Sequence, residues 1–324
     1  MDESRRLIPL DSGDISALQR DILRVLLYFD IFNHPLTAQE IYTFLPSGST
    51  SLGEIAKACL SEPLNSVVSN SSDHFYLARR RPSCVTRRRE KEELAKRRLK
   101  IAKTAARVAH YFPFVRAVFL SGELSKGVAS KEGDIDYVIV TAEGRLWTCR
   151  TFLILFKKIV LLNSKKYFCL NHFVSEDHLT VDDRNMYSGL ELVTLKPLTN
   201  GDLLRRYLDA NPWICEYFPN WKPPTSESGC SFVPRPGIQR FLELSSENDF
   251  GDRLEGRLMK FWQDLWDRRY PHLSVEERGR LFRCLPFLST AYGGDFLTKI
   301  LNAYHARLRL FGISEMNTEL REVA

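Results

Sequence analysis

Residues 115–141 constrain this chain most, because they place a glycine turn and two aspartates between two apolar runs. The first run reads as a buried strand and ends at Ser121 and Gly122. The second begins at Asp134 and Asp136, and strand alternation predicts that both carboxylates point to one face. Such a pair suits a divalent cation such as Mg²⁺ or Mn²⁺, and a glycine turn before a helix presents N–H groups to a phosphate. The stretch therefore predicts nucleotide chemistry.

The bulk properties of the chain limit its class. At 324 residues it suits two or three domains, and its net charge of +6 permits a nucleotide or nucleic-acid partner without requiring one. Its seven cysteines are dispersed without CxxC pairs, as is typical of reduced thiols. The N-terminus lacks the apolar core of a signal peptide, and the most apolar segment, residues 152–162, is too short and too charged to span a bilayer. We therefore expect a soluble, cytoplasmic protein with no membrane contact.

The first 82 residues predict three helices followed by a hairpin. Apolar residues recur at helical spacing over residues 14–30, and Thr37 with Glu40 has the spacing of a capping box that starts a second helix. Residues 51–60 form a third helix, and a polar turn at residues 70–73 joins two short strands. This order is typical of a winged helix-turn-helix. The third helix carries one Lys and one Glu, which favours a packing or protein-interaction module over a DNA reader.

Residues 79–103 are strongly basic and lead into a long helix predicted over residues 85–112. Acidic residues within it supply i,i+4 partners for Lys96 and Arg97, namely Glu90, Glu92 and Glu93. Such pairing favours a solvated helix face, and the alternative is a contact surface for polyphosphate or nucleic acid. A nucleic-acid or protein partner would therefore bind through residues 1–100.

Gly122 and Glu123 are followed by ten residues and then by Asp134-Ile135-Asp136. This order resembles the motif of the DNA polymerase beta-like nucleotidyltransferase superfamily. That superfamily has an apolar strand, a Gly-Ser or Gly-Gly pair, a short gap and an Asp-apolar-Asp strand. The segment SGELSKG, which begins at Ser121, is closer still to bacterial nucleotidyltransferase-domain proteins that read SGSLAKG and SDID. The resemblance implies an α+β fold with a small mixed sheet and flanking helices.

The resemblance also implies roles for individual residues. Asp134 and Asp136 would hold Mg²⁺ or Mn²⁺ and be catalytic, because phosphoryl-type transfer depends on positioning and charge neutralisation. The turn at Ser121 and Gly122 would bind the triphosphate of a nucleoside triphosphate, and Lys126 would contact a phosphate. Together these residues are the predicted nucleotide and metal site.

Two positions depart from the family pattern. Glu123 replaces a serine that contacts phosphate, and its charge would have to turn away or be paired, for instance with Lys126. The family's third carboxylate lies on the next strand, predicted here over residues 167–174, where the residue at the expected place is Asn171. The neighbouring His172 is interpreted as a hydrogen-bonded structural residue.

The pattern divides the chain into four parts: residues 1–82 (winged-helix-like module), 83–218 (nucleotidyltransferase-like core), 219–236 (linker or arm) and 237–324 (helical region). The last part predicts helices at residues 250–269, 275–282 and 296–311.

Two functions stay open. One is Mg²⁺-dependent transfer of a nucleoside monophosphate from a nucleoside triphosphate to a hydroxyl of a small molecule, protein or RNA. The other is a catalytically impaired relative that serves as nucleotide sensor, scaffold or DNA-binding regulator.

Overall fold

The computed structural model describes residues 15–48, 50–160, 162, 166–224, 236–244 and 248–314. Most of the predicted linker or arm, residues 225–235, lies outside the described residues, as does the polar segment 1–14. The described chain is a mixed α+β protein with two β-sheets. The mixed fold class is therefore confirmed.

The helices carry the following bounds: α1 (Ala17–Asp30), α2 (Ala38–Phe44), α3 (Leu52–Leu60), α4 (Ser83–His110), α5 (Gly122–Ser125), α6 (Leu146–Val160), α7 (Met186–Val193), α8 (Gly201–Asp209), α9 (Ile214–Tyr217), α10 (Pro236–Leu244), α11 (Asp249–Arg269), α12 (Val275–Leu281) and α13 (Phe296–Leu310). The strands are β1 (Leu36–Thr37), β2 (Val68–Ser71), β3 (His74–Leu77), β4 (Val115–Ser121), β5 (Asp136–Thr141), β6 (Cys169–Ser175), β7 (Lys196–Thr199) and β8 (Leu288–Thr290). The predicted N-terminal helices, the long helix and the three C-terminal helices are all present within a few residues.

Side-chain caps explain where the N-terminal helices begin. The predicted capping box of α2 is present: the Glu40 N–H donates to Thr37 Oγ1 at 3.2 Å, and the Thr37 N–H donates to Glu40 Oε2 at 2.8 Å. Reciprocal bonds of the same kind start α1 and α3. Each box satisfies N–H groups that a helix leaves without partners in its first turn.

The N-terminal sheet has the order β1-β3-β2, with all neighbours antiparallel. The hairpin predicted around residues 70–73 is present. Its two-residue loop, Ser72 and Asp73, has positive φ angles of 46° and 64°, as a tight hairpin turn requires. The strand β1 is only two residues long and was not predicted, because a pair of residues shows no periodicity.

The central sheet has the order β7-β4-β5-β6-β8, in which β5 and β6 are parallel and the other neighbours are antiparallel. The register places the end of β4 and the starts of β5, β6 and β7 at one edge, since Ser121 lies opposite Asp136 and Lys196 lies opposite Leu120. Asp136 in turn lies beside Cys169. We call this the site edge.

Alternating residues of the central sheet enter two separate cores. Ala117, Phe119 and Val138 pack into one core that also contains α1, α7, α8 and α13. Val118, Leu120 and Ile139 pack into the other, together with α4, α6 and α11. The N-terminal helices and the last helix therefore share a continuous apolar core with one face of the sheet.

A buried carboxylate joins the N-terminal helices to the C-terminal helix. Asp30, whose side chain is 3% exposed, bonds to Arg79, to Arg80 Nε at 2.8 Å and to Arg307 Nε at 3.3 Å. Burial by itself raises the pKa of Asp30, but the hydrogen bonds and charges of Arg80 and Arg79 outweigh it and hold the pKa below its usual range. Part of the basic run is thus structural.

No helix in the described part of the chain is long and apolar enough to cross a membrane.

Candidate functional site

The glycine turn and one aspartate of the predicted motif are in direct contact. Gly122 has a φ of +69°, and a Cβ atom there would lie 2.6 Å from Asp136 Oδ2. Only glycine adopts this conformation without strain and leaves room for the carboxylate. The turn and Asp136 therefore form one unit at the site edge, as the sequence motif predicts.

The side chains that act most strongly on Asp136 are polar or acidic. Burial raises the pKa of its carboxyl to about 6, and the negative charges of Glu191 and Asp134 act in the same direction against the hydrogen bonds from Cys169 and Asn171. Asn171 Nδ2 donates to Asp136 Oδ1 at 3.2 Å. Asn171, the predicted third position, therefore contacts Asp136 through its side-chain amide.

Asp134 corrects one prediction. It does not lie on the strand beside Asp136, because β4 ends at Ser121 and leaves no β4 residue opposite Asp134. Asp134 is exposed in the preceding loop, which the buried Arg98 of α4 holds by donating to the carbonyls of Gly133 and of Lys131, the latter at 2.8 Å. The charge of Asp134 still acts on the pKa of Asp136, so the two carboxylates are neighbours at the site edge.

The predicted phosphate contact, Lys126, pairs with an acid that the sequence pattern did not reveal. Lys126 Nζ lies 2.7 Å from Glu191 Oε1 and donates to the Gly122 carbonyl at 3.2 Å. Glu191 belongs to α7, 65 positions away in sequence. The ammonium group therefore lies against the turn, and Glu191 adds a third carboxylate to the neighbourhood of Asp136.

Glu123, the first departure from the family pattern, does not pair with Lys126 as the sequence suggested. Its carboxylate accepts from the Ser130 N–H at 2.9 Å and lies 3.8 Å from Lys91 Nζ of α4. The carboxylate of Glu123 is therefore directed toward the loop and α4. Lys126 bonds to Glu191 instead.

Lys196, at the start of β7, is a second cation that the sequence did not indicate. Burial lowers the pKa of its ammonium group, and the positive charge of Lys126 adds to that effect. Two lysines therefore lie near each other at the edge that carries the glycine turn. Since β7 is a four-residue strand containing a proline, its sequence gave no strand signal.

Aromatic hydroxyls and a neutral histidine border the acidic groups. His172 Nδ1 lies 2.8 Å from the Tyr292 hydroxyl, so it is the hydrogen-bonded residue that was predicted. Burial lowers the pKa of His172 to about 4, with further contributions from Arg283 and Arg150, which leaves the ring neutral at neutral pH. Burial and the charges of Glu191 and Asp136 raise the pKa of Tyr187 well above its usual value.

The carboxylates of Asp134 and Asp136 suit a cation that takes most of its ligands from water and substrate. Among the described residues, no group of three or more His, Cys, Asp and Glu side chains lies in an arrangement that could hold a metal ion. Mg²⁺ commonly takes one or two carboxylates from the protein and completes its shell with water and substrate phosphates. Asp134 and Asp136 match that donor set, and within the described ranges no cationic side chain pairs with Asp136.

In comparisons with protein-family models, with curated proteins and with solved structures, nothing matches this chain.

Proposed function

We propose that the protein is a Mg²⁺- or Mn²⁺-dependent nucleotidyltransferase that moves a nucleoside monophosphate from a nucleoside triphosphate to a hydroxyl group. The contact between Gly122 and Asp136 carries this proposal. It sets the glycine turn directly against a carboxylate that pairs with no cationic side chain among the described residues. Lys126 and Lys196 add positive charge at the same edge, where a triphosphate would need it.

Each residue of the site has a role in such a transfer. Asp134 and Asp136 would hold the cation, which when bound would neutralise phosphate charge. The turn at Ser121 and Gly122 would position the triphosphate, and Lys126 would leave Glu191 to contact a phosphate. The acceptor hydroxyl would lose its proton to water, and its oxygen would form a bond to the α-phosphorus while the bond to the bridging oxygen breaks and pyrophosphate departs.

A second candidate is a catalytically impaired relative that binds nucleotide as a sensor or scaffold. Asn171 favours it, because an amide at the third position cannot accept the proton of the acceptor hydroxyl. In this case the N-terminal helices and the N-terminal sheet, which follow the order of a winged helix, would contact DNA or a protein partner. The exposed part of α3 offers Lys57 and Glu54, too little charge for a DNA-reading helix.

One experiment separates the two candidates. The full chain is incubated with each labelled nucleoside triphosphate and Mg²⁺ or Mn²⁺, with and without cell extract, and transfer is measured beside equilibrium binding of the nucleotide. Transfer that is lost in Asp134→Asn/Asp136→Asn and kept in the exposed control Asp264→Asn supports the enzyme. Nucleotide binding without transfer supports the sensor. Absence of both contradicts the nucleotide site altogether.

A further inference from the structure

One exposed face of α4 carries a row of cations. Lys96, Lys100, Lys103 and Arg107 are all exposed, and their spacing of four, three and four residues puts them on one side of the helix. We call these four residues the basic row. It covers twelve residues, and the eleven steps from Lys96 to Arg107 correspond to about 16 Å of helix at 1.5 Å per residue.

Four arginines elsewhere in the basic run are engaged within the fold. Arg88 is buried and bonds to both carboxylate oxygens of Glu40 at 2.6 and 2.7 Å, and Arg98 holds the loop that carries Asp134. Arg79 and Arg80 neutralise Asp30. These four arginines are structural, which separates them from the basic row.

Among the described residues, an acidic partner bonds only to the first member of the basic row, Lys96. Glu92 bonds to Arg88 at 2.8 Å, and Glu93 bonds to Lys96 at 2.5 Å, so the predicted i,i+4 pairs with Lys96 and Arg97 do not form. No acidic residue occurs between Glu93 and His110. Within the described ranges, Lys100, Lys103 and Arg107 have no carboxylate at ion-pair distance.

A row of like charges at helical neighbour spacing destabilises a helix unless an outside anion neutralises it. The row is regular, and no acidic residue follows Lys96 on it. This pattern suits a ligand with anions repeated along its length more than a protein surface of mixed charge. It begins five residues from Lys91, whose carbonyl accepts from the Ala129 N–H at 3.1 Å in the loop between Gly122 and Asp134. A ligand that follows the row therefore approaches the site edge.

We propose that the basic row of α4 binds the phosphate backbone of a nucleic-acid strand and that the acceptor hydroxyl lies on that nucleic acid. The identity of the acceptor rests on the proposed transferase function, whereas backbone binding does not. The contact is independent of base sequence, because lysine and arginine side chains on phosphates carry no sequence information. The binding surface is α4, and α3, which exposes a single lysine, is not required.

The test measures fluorescence anisotropy of short labelled single-stranded RNA, single-stranded DNA and duplexes with the full chain over a range of salt concentrations. Lys100→Ala/Lys103→Ala/Arg107→Ala removes three contacts. For a single strand it should flatten the slope of log K against log salt by about 2 and weaken binding about 100-fold near 0.1 M salt. The matched control Arg205→Ala/Lys260→Ala/Lys299→Ala removes the same charge from exposed positions elsewhere and should leave the slope nearly unchanged. The RNA and DNA probes identify which strand is preferred.

Three outcomes overturn backbone binding: equal losses in both triple variants, affinity without salt dependence, or a polyglutamate peptide that binds as tightly as the nucleic acids. Thermal denaturation shows whether the row variant is folded, and removal of like charges should leave it at least as stable as the parent. The acceptor is tested separately. The row variant should keep nucleoside triphosphate binding and lose transfer to a nucleic-acid end, and transfer that persists overturns that part alone.

Discussion

Asp30 and Asp136 are both carboxylates drawn into the fold, and their surroundings are opposite. Asp30 bonds to Arg79, Arg80 and Arg307, which hold its pKa below the usual range in spite of burial. Asp136 bonds to the amide of Asn171, and burial with nearby carboxylates raises its pKa to about 6. Arginines neutralise the charge of Asp30, whereas no cationic side chain in the described part of the chain pairs with Asp136.

The difference distinguishes a structural charge from a binding charge. The three arginines around Asp30 come from two distant parts of the chain, residues 79–80 and α13, so this carboxylate links the N-terminal helices to α13. A cation would gain little at Asp30. At Asp136 it would relieve repulsion from Glu191 and Asp134, which is an electrostatic reason for a metal to bind there.

The largest expected effect is on stability at Asp30. Asp30→Asn leaves three arginines without their common carboxylate and should lower the free energy of unfolding by about 3–5 kcal/mol in urea denaturation. Because the folded pKa of Asp30 is lowered, its contribution is complete above the unfolded pKa near about 4 and is lost as pH falls through the folded pKa. The stabilities of the variant and the parent should therefore become equal in acid.

Asp209→Asn serves as the control. It breaks an exposed pair with Arg205 and should cost less than about 1 kcal/mol. Equal costs for Asp30→Asn and Asp209→Asn would contradict a structural role of Asp30.

The next effect concerns the glycine turn. Both Gly122 and Gly127 have positive φ angles, +69° and +79°, but only at Gly122 would a Cβ atom meet Asp136. Gly127→Ala should cost about 1 kcal/mol from backbone strain alone, and Gly122→Ala about 2–3 kcal/mol, because the carboxylate must also move. Chemical denaturation measures both values. Nucleotide binding should be lost in Gly122→Ala, and equal stability losses would show that the contact with Asp136 carries no weight.

The opposite pKa shift at Asp136 predicts an opposite stability change. Since its folded pKa of about 6 lies above the unfolded value, stability from the protonated group is complete below about pH 4 and is lost as pH rises through 6. Asp136→Asn should therefore be about 1–3 kcal/mol more stable than the parent at about pH 7.5 and nearly equal to it at about pH 4. Thermal denaturation at both pH values checks this. If the variant is instead less stable than the parent at the higher pH, the charge of Asp136 is structural, as that of Asp30 is.

The smallest effect is the response to the metal. Mg²⁺ at ten times its dissociation constant should stabilise the parent by about 1.4 kcal/mol at neutral pH. Asp136→Asn should lose that response, whereas Asp30→Asn should keep it at a lower midpoint of denaturation. Calcium, a larger cation, serves as the comparison ion in the same thermal shift. A Mg²⁺ response that survives in Asp136→Asn would move the cation away from the site edge.

Local patterns determined most elements of this protein from its sequence. Capping boxes such as Thr37 with Glu40, helical periodicity and the turn at Ser72 and Asp73 are interactions between near neighbours, so they predict helices and a hairpin without knowledge of the fold. The contact of Gly122 with Asp136 was also predictable, because a strand, a turn and the next strand bring them together within fifteen residues. Asn171 also lies beside Asp136, because β6, the next strand along the chain, pairs with β5.

The tertiary structure alone decided which charges are neutralised. Lys126 pairs with Glu191 across 65 positions, Arg307 reaches Asp30 across 277, and Arg98 holds a loop 33–35 residues away. No periodicity encodes such pairs, since side chains far apart in sequence meet only when helices and sheets pack. Asp134 lies outside the strand for a similar reason, because β4 ends at Ser121 and has no residue opposite Asp134. Spacing predicted that Asp136 lies beside the glycine turn. Packing determined that three arginines surround Asp30 and that no described cationic side chain pairs with Asp136.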